Sequence, residues 1–273
     1  MSAKDFEFAV HLTDTMEWNM TREDFEFMIE LEPEGCLVLF WNSERAGIAT
    51  AISYDQVGWV GSVIVTENYR RKGGGSLLVK YATEYLTSRG VKTIGLYSYL
   101  DRIPFYAKQC FRPYSEFLAL KGRGFSSSTE APVKEADRDD IRQIINLDRL
   151  CFGGSRSKVL EPLLVDPENL CFVCKESDQI LGFAAAKVSD ETSEIGPLVC
   201  RPGRDDIAVD LLKANLGRLR TCEVFLCVPE KESRILGLLT HHGFKQDFRL
   251  AGMFRGTPVI SDYIYVPESL ERG

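Results

Sequence analysis

The sequence predicts an α/β protein with a mixed (α+β) sheet, the whole fold laid down twice in tandem, and three observations carry that prediction. Strand-like apolar runs alternate with stretches of helical period along the 273 residues. An apolar strand ending at Val63, Ile64 and Val65 passes through Arg70, Arg71, Lys72, Gly73, Gly74 and Gly75 into a helix that opens near Ser76. Landmarks of the first half return in the second at a nearly fixed offset. Gly61 and Gly196 are 135 residues apart, Leu77-Leu78 and Leu211-Leu212 are 134 apart, and Phe111 and Phe244 are 133 apart. Three independent offsets this close point to a duplication.

The elements follow in order. Residues 7–12, Glu-Phe-Ala-Val-His-Leu, read as an opening strand. Thr21 and Asp24 have the spacing of a capping box ahead of Phe25, Met28 and Ile29, so a helix starts there. Residues 36–41 and 47–54 flank the polar stretch 42–45 and read as a hairpin. A third strand at 58–65 feeds the glycines, and Leu77, Leu78, Tyr81, Ala82 and Tyr85 carry the next helix to about Ser88. A strand near 93–97 and a short helix near 103–108 come next. The order is β-α-β-β-β-loop-α-β-α-β. Small and polar residues then break the pattern, dividing the chain into a domain at 1–122, a linker at 123–132 and a domain at 133–273. Beyond the linker the order recommences with a helix at 137–150 and strands at 171–174, 180–188 and 195–200.

Composition excludes several classes of function. With 44% hydrophobic and 27% charged residues the chain reads as an ordinary globular protein. No apolar run is long enough to span a membrane, and the charged start Met1-Ser2-Ala3-Lys4-Asp5 lacks the apolar core of a secretory signal. A cytoplasmic location is expected. The net charge of −7 argues against nucleic acid as a partner and favours a cationic one. Eight cysteines are scattered, several of them within apolar runs, and read as free thiols. Cys171 and Cys174 have CxxC spacing, but on a strand they point to opposite faces and no matching pair follows, so no metal is expected.

The glycine run makes an anion site. Unobstructed backbone N–H groups converge at the positive end of a helix, and Arg70, Arg71 and Lys72 add charge on the approach. A pyrophosphate is the natural guest. No Lys-Ser/Thr follows the last glycine, which disfavours a triphosphatase, and no third glycine completes a dinucleotide fingerprint.

Arg70, Gly73 and Gly75 behind a Val-x-Val strand give Arg-x-x-Gly-x-Gly, which resembles the coenzyme A motif of the GCN5-related N-acetyltransferase (GNAT) superfamily. Phe105-Tyr106-Ala107-Lys108-Gln109-Cys110-Phe111 resembles that family's Tyr-x-x-x-Gly-Phe signature, with Cys110 where the family usually has glycine. Trp18 to Thr21, Gly58 to Gly61, Leu147 to Gly153, Arg156, Ile195 to Val199 and Met253 to Gly256 are further similar to the tandem YitH-like group, in which a normal acetyltransferase domain precedes a divergent one. The resemblance implies that each copy is a central mixed, mostly antiparallel sheet flanked by helices. It also implies acetyl-CoA as co-substrate, with pantetheine along Val63, Ile64 and Val65 and the pyrophosphate held from Arg70 to Ser76. Tyr106 would protonate the leaving thiolate. The expected activity is acetyl transfer to the primary amine of a small molecule by a monomer or homodimer. A non-catalytic acyl-CoA sensor and a protein lysine acetyltransferase are the alternatives.

The second copy has lost both landmarks. Asp205, Asp206, Ile207 and Val209 stand where the first has Arg71, Lys72, Gly73 and Gly75, and Leu239 stands for Tyr106. No coenzyme is expected there, and its expected task is to shape the acceptor site. His241 and His242 read as surface residues. No carboxylate lies on residues 59–65, and Asp101, the nearest by position, reads as a helix N-cap, so the general base stays open.

Overall fold

The structure, a computed structural model, describes residues 1–189, 192–258 and 262–273. The first copy runs α1 (Phe6–Asp14), α2 (Arg22–Leu31), β1 (Cys36–Trp41), β2 (Glu44–Tyr54), β3 (Val57–Val65), α3 (Gly74–Ser88), β4 (Thr93–Tyr99), α4 (Ile103–Ala107) and β5 (Arg112–Arg123). The second runs β6 (Val133–Glu135), α5 (Ile141–Phe152), α6 (Ser157–Val165), β7 (Leu170–Glu176), β8 (Gln179–Lys187), β9 (Thr192–Cys200), α7 (Asp205–Arg218), β10 (Glu223–Pro229), α8 (Ser233–His241), β11 (Lys245–Arg255) and β12 (Ile264–Val266). Two helices open the first copy where a strand and a helix are expected. Phe6, Phe8, Val10 and Leu12 alternate as strand residues do, but Phe6, Ala9, Leu12 and Thr13 are the buried ones, at helical spacing. The capping box does start α2: Thr21 Oγ1 accepts from the Asp24 amide at 3.3 Å, and the Asp24 carboxylate accepts from the Thr21 amide at 2.9 Å.

All the strands join one sheet, in the order β1-β2-β3-β4-β11-β5-β10-β9-β8-β7-β6, with β12 added to β9. The copies have exchanged their last strands. β11 of the second copy pairs with β4 of the first, from Leu250↔Tyr99 to Arg255↔Ile94, while β5 of the first pairs with β10 of the second. The two exchanged strands also pair with each other, so backbone hydrogen bonds run unbroken from one copy into the other. α3, α4, α7 and α8 cover one face, where Val79, Leu86 and Tyr106 pack in one cluster and Ile207, Leu211 and Leu239 in another. α1, α2, α5 and α6 cover the opposite, inner face, where Phe25, Met28, Phe152 and Val159 meet Ile48, Ile52 and Trp59.

Each copy opens one V-shaped notch in this sheet. β3 and β4 are parallel and hydrogen-bonded only from Val57↔Thr93 to Trp59↔Gly95, and then part. The opening therefore begins at Trp59, several residues before Val63, Ile64 and Val65, along which the resemblance places the pantetheine. A bulge is the cause. Ser62 has φ +48°, the register against β2 shifts between Ile48 and Thr50, and the extra residue bends β3 away from β4. In the second copy β9 and β10 pair from Thr192↔Glu223 to Glu194↔Phe225 and likewise part. There β12 closes the gap on β9, with Ile264↔Cys200, Tyr265↔Val199 and Val266↔Leu198, while β8 holds the other edge.

Residues 267–273 cross the inner face between the two notches. A Cβ at Gly61 would lie 2.9 Å from Glu271 Cα, and one at Gly196 would lie 3.0 Å from the Glu268 carbonyl oxygen. The repeat's matched glycines thus admit the same segment on either side. Tyr54 donates to the Arg272 carbonyl at 3.0 Å and Trp59 Nε1 to the Leu270 carbonyl at 3.3 Å. Arg156, fully buried and paired with Asp148 at 2.6 Å, donates to the Gly273 oxygen. No helix of the described residues is long and apolar enough to cross a membrane.

Candidate functional site

The loop from β3 to α3, where the sequence places an anion cradle, is shaped by its backbone conformation. Arg71 has φ +63° and Gly73 +89°, both left-handed, and together they turn the chain so that α3 begins at Gly74. Gly73 provides no side-chain cap, and the first amides of the helix, at Gly74, Gly75 and Ser76, lack intrahelical acceptors. Close packing explains the other two glycines. A Cβ at Gly74 would meet the Leu39 side chain at 2.7 Å, and one at Gly75 would meet the Phe105 ring at 3.3 Å. Ser76 Oγ accepts from Gln109 at 3.1 Å, which ties the loop to the segment that carries Tyr106.

The three basic side chains are divided among different tasks. Arg70 Nε donates to the Val65 carbonyl at 2.9 Å and so clasps the end of β3. Lys72 lies over the rings of Tyr69 and Trp41, at 5.2 and 5.9 Å. Arg71 is exposed. All three are expected on the approach to an anion; Arg70 and Lys72 have partners within the chain, and the amides of Gly74, Gly75 and Ser76 lie beside them without intrahelical acceptors. On β3, the Ile64 side chain turns to the inner-face core, while Val63 packs toward Phe105 and Tyr106.

Tyr106 stands at the notch from the opposite face. Its ring packs with Phe105 and Phe111 at 4.9 and 6.1 Å, in the cluster that holds Val60 of β3 and Leu96 of β4, the two strands that part. It is 9% exposed, and among the described residues its hydroxyl has no hydrogen-bond partner. Burial, opposed by Arg102, pushes this phenol up to about 12, so at neutral pH it is a proton donor. Cys110 adopts φ +67°, the conformation for which glycine is usual at this corner, and Gly243 repeats it at +82°. Asp101 is no N-cap. Arg102 holds that position, while Asp101 lies exposed in the preceding turn, 3.3 Å from the Arg102 guanidinium.

The matching features of the second copy point the other way. α7 starts at Asp205, and the loop before it keeps one left-handed residue, Gly203 at φ +74°, where the first copy has Arg71 and Gly73. Arg204 pairs with Asp206 at 3.2 Å, placing the copy's own charges at the helix end where an anion would sit, and this pairing holds the Asp206 carboxyl below its usual range. Leu239 is fully buried. His242 stacks on Phe125 at 3.6 Å, and the side chains of Cys171 and Cys174 pack into different clusters on opposite faces of β7. No cluster of metal-binding side chains occurs among the described residues.

Between the copies, an apolar cavity bordered by Trp59, Tyr97, Phe117 and Phe254 lies at the closed end of the first notch. Glu271 and Glu194, on the same inner face, escape a reading of local motifs because distant segments bring them together. The one signal for them in the sequence is the glycine pair at 61 and 196, which marks a close backbone approach in both copies.

Comparisons with known proteins agree with this geometry. A family model described as acetyltransferase (GNAT) family matches residues 5–110, and one described as acetyltransferase (GNAT) domain matches residues 144–265. Among curated proteins, the uncharacterized N-acetyltransferase YitH of Bacillus subtilis is 22% identical over 213 residues, which are 76% of this chain and 73% of that one. Among solved structures, an acetyltransferase described as putative from Pyrococcus horikoshii superposes with a TM-score of 0.83 at 22% identity, covering 100% of this chain and 94% of the other. A GCN5-related N-acetyltransferase from Sphaerobacter thermophilus superposes with 0.65 at 17% identity, covering 96% of each.

Proposed function

Because this chain belongs to the GNAT acetyltransferases through both of its halves, we propose that the first half, residues 1–122, moves an acetyl group from acetyl-CoA to the primary amine of a small molecule, while the second half shapes the acceptor side. The observation that carries this reading is the difference between the notches: among the described residues the edge of β3 beyond Trp59 has no strand added, and the matching edge of β9 is taken by β12.

The residues fit a coenzyme of this shape. The amides at Gly74, Gly75 and Ser76 would hold the pyrophosphate, and the edge of β3 through Val63, Ile64 and Val65 would hold the pantetheine arm. When bound, acetyl-CoA supplies an activated acetyl thioester. Tyr106 keeps its proton at neutral pH and gives it to the leaving sulfur, a role worth roughly a hundredfold to ten-thousandfold in rate. Isothermal titration tests the reading: one acetyl-CoA should bind per chain, and Gly75→Glu should abolish binding by placing bulk and negative charge in the cradle. Undetectable binding at millimolar coenzyme by the unaltered chain would overturn it.

One observation favours a second reading. β3 carries no carboxylate toward the notch, as a non-catalytic acyl-CoA sensor would have it. Turnover separates the two, since a sensor would bind the coenzyme and acetylate no amine.

A further inference from the structure

The inner side of the first notch is formed by residues 267–273, whose backbone lies against Gly61 where β3 turns away from β4. On the opposite side stands Tyr106, 9% exposed as a residue, its hydroxyl unpartnered among the described residues. A nucleophile attacking a thioester in this notch would arrive from the inner face, past residue 271. Glu271 is partly buried there. It faces Glu268 and Arg272 of its own segment, Glu194 of β9, Cys227 of β10, Tyr99 of β4 and Asp24 of α2.

The cations in this region are already engaged. Arg272 binds both oxygens of Glu268 at 2.8 Å, and Lys187 binds Asp24 at 3.0 Å. Glu194 and Glu271 have no ion pair among the described residues. Burial, then the charges of Glu271 and Glu268, push Glu194 up to about 8, and burial raises Glu271 as well, against the pull of Arg272. Two carboxylates sharing one partly buried space behave as a proton-accepting pair and favour a cationic guest.

We propose that Glu271, carried to the notch by residues 267–273 and coupled to Glu194 of the second half, takes the proton of the acceptor's ammonium group. The proposal rests on the acetyl-transfer reading above and adds to it a cationic primary amine as substrate class. The ammonium N–H bond breaks, its electron pair stays on nitrogen, and the proton goes to the Glu271 carboxylate. Nitrogen then bonds to the acetyl carbon as the C–S bond breaks. Sulfur takes the Tyr106 proton, and the phenolate recovers one from the nitrogen.

The test compares Glu271→Gln and Glu194→Gln with the unaltered chain. In the coenzyme-free protein, a carboxyl carbon-13 titration should show three glutamates titrating above the ordinary range, Glu194 and Glu271 of the pair and Glu232, which its own burial raises. Glu271→Gln should remove one of them, and Glu194→Gln should move the Glu271 midpoint to lower pH by removing a like charge. Acetyl-CoA affinity should stay within about twofold in both variants. With a panel of primary alkyl and arylalkyl amines, Glu271→Gln should lower turnover by roughly a hundredfold or more and abolish the acid limb of the pH profile. Hydroxylamine, already neutral at neutral pH, should be acetylated nearly as well by this variant as by the unaltered chain. Ordinary titration of Glu194 and Glu271, or equal loss with hydroxylamine and the amines, overturns the proposal. Coenzyme binding without acetylation of any amine overturns it too. Failure to bind acetyl-CoA at all overturns the reading beneath it.

Discussion

The two notches of this chain come from one fold and differ in what fills them. In the first copy β3 leaves β4 at Trp59, no strand of the described residues takes its edge, and a left-handed loop delivers the bare N-terminus of α3 to the opening. In the second, β9 leaves β10 at the matching place, but β12 lies along its edge and α7 begins early behind an Arg204–Asp206 pair. A mixed sheet that splays is thus not by itself a coenzyme site. Both helix ends lack a side-chain cap, so what separates the notches is the three-residue strand β12 on the backbone groups of β9.

The sharpest way to break this comparison is to alter the first notch. Tyr106→Phe should slow acetyl transfer by roughly a hundredfold to ten-thousandfold while leaving coenzyme affinity nearly unchanged, as measured by steady-state kinetics beside calorimetry. An unchanged rate would leave the first copy without its acid. Gly75→Glu should weaken acetyl-CoA binding by about a hundredfold or more, equivalent to about 3 kcal/mol.

Alterations that make the second notch resemble the first should gain nothing. Leu239→Tyr introduces the missing phenol into a fully buried position, so it should cost about 1–3 kcal/mol by overpacking, read by urea denaturation, and add no activity. The two glycines make a finer comparison. Gly61→Ala and Gly196→Ala each force a β-carbon onto residues 267–273, so both should lower stability by about 1–3 kcal/mol, and only Gly61→Ala should also disturb catalysis.

The smallest effect concerns what joins the copies. Burial would raise the Glu32 carboxyl, but hydrogen bonds from Lys158 of the second copy, Tyr85 and Ser53 outweigh it and hold the group at about 2. A depressed carboxylate stabilises the fold fully above its unfolded value and loses that contribution as pH falls toward the folded value. Stability should therefore decline between about pH 4.5 and about 2, and Lys158→Met should flatten that part of a pH–stability curve.

Much of this fold was legible because period and punctuation coincide. Thr21 and Asp24 announced α2, the polar stretch 42–45 announced a hairpin, and three glycines after apolar residues announced the turn from β3 into α3. α1 was misleading because Phe6, Phe8, Val10 and Leu12 satisfy the strand period while Ala9, which settles the matter by being fully buried, carries little hydrophobic signal. The exchange of β5 and β11 was not legible, since either strand fits either copy and local sequence does not say which neighbour a strand chooses. Glu271 belongs to the same class: its place beside Gly61 depends on a contact spanning most of the chain.

The central claim is that one coenzyme occupies one notch, and a crystal structure of the chain soaked with coenzyme A tests it most directly. The account predicts the pyrophosphate on the amides of Gly74, Gly75 and Ser76, the pantetheine beside β3, and β12 still paired with β9. Coenzyme at the start of α7, or β12 displaced from β9 to admit it, would contradict the account.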